Sequence, residues 1–253
     1  MTALQVLAFL ACVALATAAQ SITGFALALI LLGLTSLVDL APLPDVANVA
    51  NVLSLTISAV ALRGNRHALD RPVWRSTVAG SVAGYAIGVA LLAWLQANVV
   101  LVLRLLLGLV VLACAAVVLL QRQPLARRSS PASFRVFGVL SGALGGLFSA
   151  SGPPLVYQFY RQPMDVDTVR TTLLATLATG SVIRLALVVP AGQFGLHSLM
   201  LCAMSLPVAV AVAWWLRRHP PAWPREGVLK IVCVLLAVTG VSLVASAASG
   251  LRG

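Results

Sequence analysis

Apolar runs of membrane-crossing length recur along the chain, and two are interrupted midway by small and polar residues. A hydrocarbon core about 30 Å thick takes roughly 20 residues of apolar helix. The pattern predicts spans at residues 46–62, 76–95, 99–120, 168–189, 198–216 and 227–246. Residues 134–160 instead read as a broken helix, because GALGGLFSASGPPLVYQFY sets Gly145, Gly146, Ser149, Ser151, Gly152, Pro153 and Pro154 inside an apolar segment. Proline obstructs the turn before it yet suits the first turn of a new helix, so a second arm is expected to start at Pro153 or Pro154 and end at Tyr160. Near the N-terminus, arms at 3–19 and 25–37 are separated by Gln20, Ser21, Thr23 and Gly24. Irregular backbone at membrane depth survives only where protein buries it or where it lines a wet cavity, so each break is a candidate binding site.

Sliding the chain on itself by about 120 residues pairs Pro44, Asp45 and Val46 with Met164, Asp165 and Val166, and VLRLLLGLVV with VLKIVCVLLA. This duplication divides the chain into a first transmembrane repeat (1–121), a polar linker (122–133) and a second repeat (134–253). Basic residues cluster in the turn at 63–75, in the linker and in the turn at 217–225, and positive-inside reasoning makes all three cytoplasmic. That assignment holds only if residues 134–160 cross an even number of times, as a re-entrant hairpin. At 1.5 Å per residue, 134–148 reaches only about 22 Å. Each repeat then has three net crossings, so the expected fold is an all-α polytopic membrane protein. Its two inverted repeats each comprise a broken or re-entrant helix followed by three transmembrane helices.

Composition agrees: 60% hydrophobic residues, 9% charged residues and a mean hydropathy of +1.02 exclude an ordinary soluble domain. The net charge of +11 is explained by short basic loops, so no nucleic-acid partner is called for. Cys12, Cys114, Cys202 and Cys233 each stand alone in an apolar segment and read as packing residues. The N-terminus superficially resembles a secretory signal, but it lacks a basic start and its apolar pattern continues to Leu37, so it reads as retained structure. His67, His197 and His219 fall in expected turns and build neither a metal cluster nor a Ser/His catalytic set. No cofactor or metal is expected.

A helix starting at Pro153 would aim the positive end of its dipole and its free amides at Ser149, Ser151 and Gly152, with Gly146 close behind. Ser21, Thr23 and Gly24 are the counterparts expected to approach from the opposite side. The competing reading is that glycine and serine only allow close helix packing. Asp39, Asp45, Asp165, Asp167 and Glu226 all lie at span ends, with Asp45 and Asp165 resembling helix N-caps, so a proton path through buried carboxylates is disfavoured. Arg104 and Lys230 read as snorkelling to an interface, whereas Arg184, following Thr179, Gly180 and Ser181, is a candidate anion partner. Asn48 and Asn51 share a helix face that either lines the site or bonds a neighbouring helix. Tyr157 is a further candidate lining residue.

The second break, GVLSGALGGLFSASGPPLVYQFYRQPMD, is similar to the Gly-x-Gly-Gly-Gly, then Pro, pattern of the sulfite exporter TauE/SafE family, with Gly152, Pro153 and Pro154 at its core. The first copy, SITGFALALILLGL, keeps Gly24 without the glycine cluster or the proline. The resemblance covers nearly the whole chain and implies a bacterial inner-membrane transporter of sulfite, sulfonates or other sulfur-containing organic anions. The chain carries no ATP-binding P-loop, so gradients would supply the energy for alternating access. The expected partners are a small anion and the lipid bilayer, and a homo-oligomer is compatible with the sequence. The rival is an intramembrane enzyme or a non-transporting assembly subunit.

Overall fold

In lipid every backbone polar group must be satisfied within the protein, which helices do locally. The computed structural model describes residues 2–62, 68–98, 100–119 and 125–219, with isolated helical positions between 234 and 245. The helices are α1 (Ala3–Thr23), α2 (Leu27–Leu37), α3 (Leu43–Leu62), α4 (Arg71–Asn98), α5 (Val100–Leu119), α6 (Pro131–Phe148), α7 (Gly152–Tyr160), α8 (Val166–Val188) and α9 (Leu196–Arg218). Among the described residues, α1, α3, α4, α6, α8 and α9 are each long and apolar enough to cross a membrane. Most of the expected span at 227–246 lies outside the described residues, as do His67, Lys230, Cys233 and the side chains of Arg104 and Cys114.

Both breaks form, at positions fixed by local chemistry. Thr23 donates its hydroxyl back to the Ala19 carbonyl (2.7 Å), which keeps Ser21 and Thr23 inside the last turn of α1. The first break is therefore at residues 24–26, later than the polar cluster suggests, with Gly24 (φ 88°) and Ala26 (φ 60°) both left-handed. In the second, Pro131 opens α6 behind a Ser130 cap, so α6 runs 18 residues, or about 27 Å, and comes closer to a full crossing than the 22 Å expected. Ser149 (φ 54°) then turns the chain, and α7 starts at Gly152 with the two prolines in its first turn.

Side chains fix the direction of α7. Gln158 donates to Ser133 (3.1 Å), Gln162 donates to Ser129 (3.0 Å), and the Phe159 ring meets Phe134 edge-on at 6.1 Å. The end of α7 thus lies beside the start of α6, so the two helices fold back on each other as a hairpin.

The α4–α6 pair is the most extensive contact in the bundle, and α3 packs against both α8 and α9. With lipid as solvent, hydrophobicity does little to join helices, and close backbone packing takes its place. Gly80, Gly84 and Gly88 of α4 face Gly138, Gly142 and Gly146 of α6. A β-carbon on any of the first five would stand 2.1–2.3 Å from a carbonyl oxygen of the opposite helix. Since residue numbers rise together on both sides, α4 and α6 run in the same direction. So do α3 and α9: Asp45 near the start of α3 pairs with His197 near the start of α9, and Arg217 at the end of α9 donates to the Val60 carbonyl (3.4 Å).

Candidate functional site

The two breaks meet. A cavity of about 20 Å³ lies between them, lined by residues 25–29 of the first break and by Ser149, Ala150, Gly152 and Pro153 of the second, with Gln20, Ser54 and Leu177 at its sides. A β-carbon on Gly152 would come within 2.9 Å of the Phe25 Cβ, so the two breaks are in van der Waals contact. This space admits about one water molecule and is too small for an oxyanion.

Two helix N-termini face the cavity. Residues 26–29, the first turn of α2, and Gly152 and Pro153, the first turn of α7, both face it. Each helix N-terminus carries roughly +0.5 of an elementary charge. The expectation that α7 supplies the amide donors needs correction, because Pro153 and Pro154 have no N–H. In α2, which has no proline in its first turn, Ala28 and Leu29 keep their amides, so the copy with the weaker motif carries the fuller set of donors. Ser149 adds a buried hydroxyl without a hydrogen-bond partner, and Gln20 donates to Ser54 (3.3 Å) across the cavity wall.

The remaining candidates separate into groups. Ser151 N-caps α7 without a side-chain capping bond. Its hydroxyl and the Tyr85 phenol share a hydrogen bond, and its carbonyl accepts from Ser141 (2.7 Å). Gly146 packs in the α4–α6 seam and offers its carbonyl to Arg184 Nε (3.2 Å). The Ser21 hydroxyl is buried without a partner, and its carbonyl accepts from Arg170 (3.4 Å). Thr23 and Gly24 close the end of α1, Gly24 through its amide to the Gln20 carbonyl (2.7 Å). Asn51 donates to the Ser181 carbonyl (3.1 Å) and so bonds a neighbouring helix. Tyr157 lies at the other end of α7, against Phe137 and under the Arg161 guanidinium.

Arg184 is fully buried. Its Nη1 donates to Asn48 Oδ1 (2.9 Å), and its Nη2 has no partner. Asn48 in turn donates to the Gln193 carbonyl (2.8 Å) and to Ser198 (3.1 Å), and Ser198 donates to Asp45. Asp45 therefore lies inside the first turn of α3 and bonds α9 instead of capping its own helix. Asp165 is the N-cap residue of α8, but its side chain makes no capping bond. His197 belongs to the first turn of α9, not to a loop.

Sequence reasoning missed Tyr85. Its ring fills a slot between Gly145 and Gly180, where a β-carbon would come within 2.6 Å and 2.2 Å of it, and its phenol faces both Ser151 and Arg184. A lone tyrosine in the middle of a small-residue span was the available signal.

Comparison with known proteins decides the family. The sulfite exporter TauE/SafE family matches residues 9–243, which spans both breaks and the helices that hold them. The chain belongs to the TauE/SafE family. It is 34% identical over 233 residues to the probable sulfite/organosulfonate exporter TauE of Cupriavidus necator, covering 91% of this chain and 90% of that protein. No solved structure matches the chain. Family membership makes this a multi-pass membrane transporter of small anions, not an enzyme.

Proposed function

We propose that the chain carries sulfite or a small sulfonate across the bacterial inner membrane by gradient-driven alternating access, with the anion held between the two breaks. One observation carries this reading: the first turns of α2 and α7 face a single cavity beside the unpartnered Ser149 hydroxyl. Converging helix N-termini form an anion site that needs no formal charge. The name of the relative from Cupriavidus necator supports the same substrate class. Arg184, which donates to the carbonyl of Gly146 one turn before Ser149, supplies the formal positive charge.

The cavity has no room for an oxyanion in this arrangement, so loading requires the α1–α2 and α6–α7 hairpins to separate. An inverted pair of repeats would provide this, since each hairpin would then open to its own side of the membrane. The parallel course of α3 with α9, and of α4 with α6, supports that topology.

Reconstitution into liposomes tests the substrate. Sulfite or a sulfonate should be carried at least tenfold faster than a monocarboxylate of equal size. Equal rates for the whole panel of sulfite, thiosulfate, sulfonates and carboxylates, or no rate above that of empty liposomes, would contradict the assignment.

A further inference from the structure

Arg184, Asn48, Ser198 and Asp45 form a chain of hydrogen bonds in which every proton points the same way. The guanidinium donates to the Asn48 carbonyl oxygen, the Asn48 amide donates to the Ser198 oxygen, and the Ser198 hydroxyl donates to the Asp45 carboxylate. Such a head-to-tail chain polarises cooperatively, so a buried cation and a carboxylate at the end of a helix act as one extended ion pair. Arg184 and Asn48 are buried to within 1% exposure and Ser198 is fully buried, whereas the Asp45 side chain is 20% exposed and bonds His197, which is 48% exposed. One end of the relay is therefore sealed and the other open to protons. The titratable groups facing it are His197 and Cys202 from α9, Arg184 from α8 and Tyr85 from α4.

From this the geometry points to the Asp45–His197 pair as the proton site that couples to anion binding at Arg184. The inference rests on the anion reading above. With Asp45 ionised, the relay commits Nη1 of Arg184 to Asn48 and offsets its charge. A proton delivered to the pair through His197 leaves Asp45 shared with an imidazolium, so its hold on the Ser198 hydroxyl weakens and Arg184 turns its positive charge and its unpartnered Nη2 to the incoming anion. The proton and the anion then bind together and are carried together. Each favours the other by the same factor, as linkage requires. Asp45 lies at a span end, where the sequence suggested only a cap; the relay gives it access to the core.

A sulfonate keeps its single charge throughout the accessible pH range, so methanesulfonate is a suitable probe. Its affinity is read from the concentration dependence of thermal stabilisation in detergent, with the full chain, between pH 5 and 8. For the parent protein, affinity should rise as pH falls, by at most about tenfold per unit for one coupled proton. Asp45→Asn should bind at pH 8 about as tightly as the parent does at pH 5, and its affinity should be flat with pH. Ser198→Ala, which cuts the relay but leaves both titrating groups, should also flatten the profile. Parent binding that ignores pH, or an Asp45→Asn profile parallel to the parent's, overturns the coupling but leaves the anion site standing. A parent that methanesulfonate stabilises at no pH overturns the anion reading itself, and the coupling with it.

Discussion

Gly84 packs so closely on Val139 that a β-carbon on the glycine would stand 2.2 Å from the Val139 carbonyl oxygen. The α4–α6 seam thus depends on bare backbone. Gly84→Ala forces the two helices apart and should lower stability by about 1–3 kcal/mol, the usual range for overpacking. Gly195→Ala is the control, since nothing lies within 4 Å of a β-carbon there. Thermal melts in detergent should show a clear loss for the first and almost none for the second.

Ser149 holds a left-handed backbone (φ 54°) and a buried hydroxyl without a partner. Ser149→Gly relieves the strained angle and removes the hydroxyl, so the two effects should have opposite signs. The melting temperature should stay level or rise. Anion affinity should fall roughly fivefold to a hundredfold, the equivalent of about 1–3 kcal/mol for a hydrogen bond to a charged group. Isothermal binding measured alongside the melts checks both. A variant that is less stable and binds as tightly as the parent would make Ser149 a structural residue.

Arg184→Ala leaves the Gly146 carbonyl and the Asn48 amide oxygen without their donor and removes the buried formal charge assigned to the anion. Anion flux in liposomes should drop by at least tenfold. Arg184→Lys should recover part of it, because a compact ammonium cannot reach both acceptors with the geometry of a guanidinium. Arg104→Ala should transport nearly as well as the parent. Equal flux from all four proteins would remove Arg184 from the pathway.

Arg217 reaches the Val60 carbonyl, so the end of α9 sits beside the end of α3. Cysteines introduced in the segment ahead of α4 and in the segment that follows α9 should react with an impermeant maleimide from the same, cytoplasmic, side. Labelling from opposite sides would contradict both the inverted arrangement and the re-entrant reading of α6–α7.

The second break could be read from the sequence because Pro153 and Pro154 constrain the backbone wherever they occur. The first was placed too early, since the polar residues around it gave no sign that the Thr23 hydroxyl would bond back to Ala19 and extend α1. Gly80, Gly84 and Gly88, like Gly138, Gly142 and Gly146, recur every fourth residue, and such a stripe announces a tight helix contact. It does not say which stripe meets which. The relay from Arg184 to Asp45 draws on α8 and α9 and on α3, more than a hundred residues earlier, so only the folded chain brings its members together. Proline also misled: it marked the break and at the same time removed two of the amides that the α7 terminus was expected to offer.

The anion's place between the breaks is tested most directly by ligand-induced stabilisation of three proteins in detergent, with sulfite and methanesulfonate as ligands. Ala28→Pro removes one amide from the first turn of α2, where proline is tolerated, and Gly152→Leu fills the space beside Phe25. The parent should gain several degrees with rising anion concentration, following the ratio of ligand to dissociation constant. Ala28→Pro should need at least tenfold more anion for the same gain, and Gly152→Leu, still eluting as a folded species, should gain nothing. If both variants are folded and stabilised at the same concentrations as the parent, the anion does not bind between the two breaks.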